Sequence, residues 1–290
     1  MQQLFSIFIF CIVLFVYLHV QFHLKTSNDL EVYEIEHLVN DKTIFEEICD
    51  SRQPVVFKFS NDNIIKHINL PNALSNYGAF DIKIRNTFDT NYESDIYMPL
   101  KLNTAIKLFE KDSEKKFYSE QNADFLNETG LNKQFQYNDS FLRPYMVSNC
   151  QYDLLAGSEH VCTPFRYELS YRNFYVVTAG TVTIKLSAPK NGKYLNPVYD
   201  YENFEFRTEV TPWASQAEFD KIKCLEVILS VGQTIYIPAY WWYSIKFEKE
   251  SSIANFKYNT YMNNVAILPT YGMYILQLQN VKRENNKKLA

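Results

Sequence analysis

The sequence predicts a mainly β protein, a barrel or sandwich of the jelly-roll type flanked by helices and preceded by one membrane-spanning helix. Two observations predict the barrel. From Gln151 onward short runs rich in β-branched and aromatic residues follow one another, among them Asn173–Gly180, Thr181–Ser187, Cys224–Gly232 and Ser252–Tyr258. Turn signals at Gly180, Pro189–Gly192 and Gly232 separate them, which is the rhythm of an all-β sandwich or barrel. The third observation is at the start. Leu4 to Val20 is almost continuously apolar and no charged side chain occurs before Lys25. Residues 4–22 just reach the length that spans a bilayer. The start carries no Lys or Arg and no small-residue cleavage site, so the expectation is an uncleaved anchor, with a signal peptide as the alternative.

Between these parts the elements read in order. Residues 25–40 read as a linker. Lys42–Ser51 has helical spacing, Gln53–Ser60 a short buried strand, Ala79–Asn86 a period-two strand and Leu100–Asp112 an amphipathic helix. Residues 113–142 are polar and Asn-rich and read as a long surface excursion. Tyr261–Val281 reads as a helical region interrupted by Pro269 and Gly272, ahead of a basic tail. The expected division is 1–24 anchor, 25–40 linker, 41–262 barrel and 263–290 C-terminal helical segment and tail.

Composition narrows the function. Hydrophobic residues make up 47% of 290, enough to bury a core. A net charge of -4 argues against a nucleic-acid partner, and with 7 glycines there is no phosphate-cradling loop. The 22 Tyr and 22 Phe read as core and compositional bias, with a stacking surface as the alternative. Asn127-Glu128-Thr129 and Asn138-Asp139-Ser140 match the glycosylation acceptor pattern. Cys150 and Cys162 are either a disulfide or free thiols. The acceptor pattern and the cysteines lean towards a lumenal or extracytoplasmic domain on a single-pass anchor.

Two segments carry the chemistry. Thr163–Glu168 reads TPFRYE, and Ile237–Ile245 reads IPAYWWYSI. They resemble the two metal-ligand segments of the Jumonji-C-type, cupin-like Fe(II)/2-oxoglutarate hydroxylases, T-P-x-H-x-D and I-P-x-x-W-W-H. The resemblance runs from Gln53 to Tyr258 and includes the lead-in from Gly157, Asn173, the turn Gly180, the stretch Leu225–Pro238 and Asn255. It implies a double-stranded β-helix. In the family, residues at i and i+2 on one strand face the same cavity and hold the metal with a His from a distant strand. Here Arg166, Glu168 and Tyr243 stand at the three ligand positions. Arg166 cannot coordinate a cation because guanidinium has no free lone pair and stays protonated. Thr163, Asn173, Val182, Trp241, Trp242 and Asn255 are the residues expected to line the old pocket. Val182 stands where some members carry a Lys for the cosubstrate. The last His in the chain is His160, so no later strand supplies another.

The expectation is an internal ion pair between Arg166 and Glu168, with Tyr243 hydrogen-bonded to Glu168. The alternative is a shifted, solvated strand. A metal pair of His160 and Cys162 with Glu168 is weighed against a reading of both as loop residues. The favoured function is a noncatalytic, membrane-anchored binding or scaffold module without metal or cofactor, for a protein or small-molecule partner. One alternative is an active dioxygenase using Fe(II) and 2-oxoglutarate on unusual ligands. Another is an unrelated enzyme using Glu168 or Tyr243 as acid or base.

Overall fold

The computed structural model describes residues 2–36, 41–59, 61–88, 96–214 and 222–280. The end of the expected linker, Ser60 and the basic tail lie outside the described residues. The chain opens with α1 (Gln2–Leu24), long and apolar enough to be a membrane span or a signal sequence. After it come β1 (Tyr33–Ile35), α2 (Lys42–Asp50), β2 (Val55–Lys58), α3 (Asp62–His67), α4 (Leu70–Tyr77) and β3 (Asp81–Asn86). Then follow β4 (Met98–Lys101), α5 (Leu102–Lys111), β5 (Phe117–Ser119), α6 (Ala123–Glu128) and α7 (Leu131–Asn138). The strand-rich part holds β6 (Val147–Gly157), β7 (Phe165–Tyr167), β8 (Arg172–Ala179), β9 (Thr181–Ser187), β10 (Val198–Asp200) and β11 (Glu205–Thr208). It ends with β12 (Leu225–Ser230), β13 (Gln233–Tyr236), β14 (Trp242–Phe247), β15 (Ser252–Thr260), α8 (Tyr261–Ala266) and α9 (Leu268–Asn280).

Among the described residues the strands form two sheets. The larger runs β1-β2-β13-β8-β15-β6-β5-β3-β4 and the smaller β10-β11-β7-β14-β9-β12. Apart from the parallel pair of β1 and β2, the pairings are antiparallel. The strand alternation then decides two cores. On β8, Phe174 and Val176 point outward from the barrel into a core shared with the helices, while Tyr175 and Val177 point inward between the sheets. On β15, Ala254, Phe256 and Tyr258 join the outer core, and Ile253 joins the inner one. The outer core is roofed by Phe45 and Cys49 of α2, Ile64 of α3 and Leu102, Ala105 and Phe109 of α5. Each buried Phe, Ile or Leu among them contributes about 1.5–3 kcal/mol. Asp41 starts α2 by accepting from the Thr43 amide at 2.8 Å, which satisfies one orphan donor of the first turn. Gly180 turns β8 into β9 at φ 64, and a Cβ there would lie 2.8 Å from Ser251 Cα, so the turn requires glycine.

Three expectations are corrected. Tyr33–Ile35 is not linker, because it extends the larger sheet alongside β2. Residues 113–142 are not a surface excursion. Phe125, Leu126, Leu131, Phe135 and Leu142 are buried in the outer core, and β5 pairs with β3 and β6 inside the larger sheet. The polar residues hid a helical apolar spacing between them. The C-terminal helices break at Ile267, one position before a residue preceding proline, and Gly272 lies within α9. Cys150 and Cys162 are free thiols on opposite sheets, the latter bridging to Lys246 of β14.

Candidate functional site

Between the sheets, at the end bordered by β7, β11 and β15, lies a cavity of about 600 Å³ with Arg166, Glu168, Glu205, Asn255 and Lys257 in its wall. Strand alternation puts them there. Arg166 is the inward residue of β7, between outward Phe165 and Tyr167, and its Cα pairs with Tyr243 of β14. Asn255 and Lys257 alternate with the outward Ala254, Phe256 and Tyr258.

Two polar groupings occupy the cavity's inner end. In the first, the Arg166 guanidinium reaches across to the larger sheet. Nη1 donates to Glu120 Oε1 at 2.9 Å and Nη2 to Glu120 Oε2. Glu120 follows β5, and the register sets Tyr118 opposite Arg85 of β3. Arg85 donates to both oxygens of Glu205 at 2.8 and 3.1 Å and to Glu120 at 3.3 Å. The Tyr97 and Tyr118 hydroxyls each donate to Glu120 at 2.9 Å. Two guanidinium groups and two carboxylates thus share one buried cluster of balanced charge. Burial alone would raise the Glu120 pKa, but Arg166 and Arg85 outweigh it and hold the carboxyl well below the usual range. Burial works against the Arg166 cation too, yet the Glu120 charge keeps it firmly protonated.

The second grouping is a chain. Asn255 Nδ2 donates to Asn173 Oδ1 at 2.8 Å, and Asn173 Nδ2 to the Tyr175 hydroxyl at 3.1 Å. Tyr175 donates to Tyr243 at 2.6 Å, Tyr243 to Glu168 at 3.1 Å, and Lys257 to the same Glu168 oxygen at 2.8 Å. Asn255 and Lys257 share a strand, so the chain closes on itself. Burial first, and the Glu168 charge second, push the Tyr243 pKa far up, which leaves the phenol protonated. Burial opposes the Lys257 charge, but Glu168 more than compensates and raises its pKa.

The geometry corrects the expected ion pair. Arg166 and Glu168 both face the cavity, but each has a different partner, Glu120 and Lys257 respectively. The hydrogen bond from Tyr243 to Glu168 is present. Thr163, Val182 and Trp241 do not line the cavity. Thr163 Oγ1 accepts from the Ile245 amide at 2.9 Å, Val182 sits in the inner core, and Trp241 Nε1 donates to the Arg52 carbonyl at 3.1 Å. Asn173 lies behind the cavity wall, and Trp242 borders a separate aromatic cleft with Tyr167, Tyr199 and Tyr240. His160 pairs with Glu248 at 2.9 Å and Cys162 faces the His160 carbonyl, so neither meets Glu168. Of the acceptor sites, Asn127 is exposed and Asn138 half-buried at the end of α7.

Sequence reading missed Glu120, Arg85, Glu205, Tyr175 and Lys257. Tyr175 and Lys257 were legible as the residues two along from Asn173 and Asn255. Glu120 carried no local signal, because its Ser-Glu-Gln-Asn setting reads as loop.

This fold, with two largely antiparallel sheets enclosing a cavity reached from one strand by residues at i and i+2, defines a cupin-type barrel. The cupin-like domain family matches residues 41–264, more than half of the chain, and the protein belongs to that family. No curated protein matches the chain. Among the described residues no set of three or more His, Cys, Asp or Glu side chains is arranged to hold a metal ion.

Proposed function

We propose that this chain is a membrane-anchored, noncatalytic cupin-like protein of the Jumonji-C type, acting as a binding or scaffold module. One observation carries the reading: the first metal-ligand position holds a guanidinium already bound through both terminal nitrogens to Glu120. The residues present do not fit Fe(II). Arg166 offers no lone pair, the Glu168 charge is answered by Lys257, and burial keeps Tyr243 from ionising. The three ligand positions all lie on or beside β7 and β14, neighbouring strands of the smaller sheet. Each is tied across the barrel to the larger sheet by a protein contact: Arg166 to Glu120, Tyr243 to Tyr175, and Glu168 to Lys257. The same protonation states argue against Tyr243 as a general base. What remains is a cavity with polar walls of mixed charge, suited to a small polar molecule or to a side chain of a protein partner.

The test is metal analysis and 2-oxoglutarate turnover on the purified full-length protein supplied with ferrous iron. The expected result is neither stoichiometric iron nor turnover. Iron bound one per chain and lost in Glu168→Ala would replace this reading with that of an active oxygenase. The proposal includes an α1 that stays in the membrane and an extracytoplasmic domain, which the exposure of Asn127 supports. In the native host, an endoglycosidase-sensitive mass shift that disappears in Asn127→Gln is the expected outcome. No shift removes that support for the placement.

A further inference from the structure

We infer that α9 is a membrane-surface helix, its outer face resting in the lipid headgroup region beside the point where α1 leaves the domain. The inference rests in part on the anchor reading of α1. Helix α1 is not a free extension. Its last turn is fixed to the domain, with His23 buried and its Nε2 3.1 Å from Thr260 Oγ1, the residue that caps α8. Val16, His19 and Val20 continue that stripe as partly covered residues, and α8 packs along it. The domain is therefore held in one orientation at the end of the apolar helix, and α8 leads within one residue into α9.

Helix α9 is unusual for a helix on a water-facing surface. Leu268–Asn280 contains no Asp, Glu, Lys, Arg or His. One side is tied down: Tyr271 and Tyr274 pack against Phe204 at ring distances of 5.3 and 5.5 Å, and Gln277 accepts from the Tyr201 amide. The other side leaves Leu268, Met273, Ile275 and Leu276 exposed, each between 44% and 57%. A surface helix normally turns charged residues outward, whereas here the outward side is uncharged and apolar and the opposite side is held by the domain, so a bilayer interface would cover what water otherwise meets. The sequence that follows supplies the matching charge. Lys282, Arg283, Lys287 and Lys288 stand against one Glu284. Basic residues next to a membrane segment are drawn to anionic headgroups wherever the facing leaflet carries them. The bilayer thus accounts for both the apolar face and the charge beyond it. Since Tyr271 and Phe204 also border the cavity, its mouth would open near the membrane surface.

The test places a benzophenone amino acid at Leu276, Phe8 or Ile228 in the full-length protein. Each variant is reconstituted into phosphatidylcholine vesicles containing phosphatidylglycerol. Ile228 is 66% exposed but lies on β12, at the opposite edge of the smaller sheet from β10. The expected result is lipid adducts at Leu276 in yield comparable with Phe8, and a loss of adducts at Ile228. No lipid adduct at Leu276, or a protein adduct in its place, overturns the inference whatever Phe8 does. Adducts at Leu276 without adducts at Phe8 sustain it and overturn the anchor reading instead.

Discussion

The inner faces of β8, β14 and β15 are built in two halves. At one end Val177, Ile245, Phe247 and Ile253 meet as a dry apolar core. At the other, the same strands present Asn173, Tyr175, Tyr243, Asn255 and Lys257 as a polar network backed by the Glu120 cluster. The backbone geometry is shared, so only side-chain chemistry separates the halves. The apolar half holds the sheets together by area removed from water, which changes little with pH. The polar half holds them through paired charges, whose cost if broken is large and pH-dependent.

The sharpest way to break the contrast is Glu120→Gln. It leaves Arg166 and Arg85 competing for Glu205, and stability should fall by about 3–5 kcal/mol in a urea unfolding experiment. Adding Arg166→Met removes the stranded cation and should restore part of the loss, because Arg85 and Glu205 still pair. The pH dependence follows from the same carboxyl. Its folded pKa lies below its ordinary value of 4.5, so it contributes stability that is fully present above about pH 4.5. That contribution is lost as the pH falls towards the folded value. Glu120→Gln should therefore flatten the acid limb of the stability profile, and an unchanged limb would remove the cluster from the account.

A middle-sized effect is expected from Tyr243→Phe. The Tyr175 hydroxyl loses its acceptor, while Glu168 keeps Lys257, so the cost should be about 1–3 kcal/mol by the same unfolding measurement. The smallest is Ile253→Val in the apolar half, at about 0.5–1.5 kcal/mol. Its loss should be the same at pH 4 as at pH 7, both taken as approximate reference conditions. A marked difference between them would mean that the two halves are coupled.

Much of this was legible beforehand. Apart from β10, the strands from Tyr152 to Tyr258 fall where β-branched and aromatic runs predicted them, because alternation and turn residues are local properties. The hydrogen bond of Tyr243 to Glu168 was also within reach, since both positions follow from the family's strand spacing. The partner of Arg166 was not. Glu120 lies on a strand end whose place in the larger sheet depends on β3 and β6, and no spacing along the chain reports that pairing. For the same reason residues 113–142 read as surface, although their apolar positions close the outer core.

What the sequence determined by itself was the alternation that makes the strands, the apolar run of α1, and the absence of imidazole from every strand after His160. What only the tertiary structure decided was which charge answers which. Guanidinium and carboxylate attract any opposite charge within reach, so composition cannot choose among them. The choice falls to the distance across the barrel, which set Glu120 beside Arg166 and Lys257 beside Glu168.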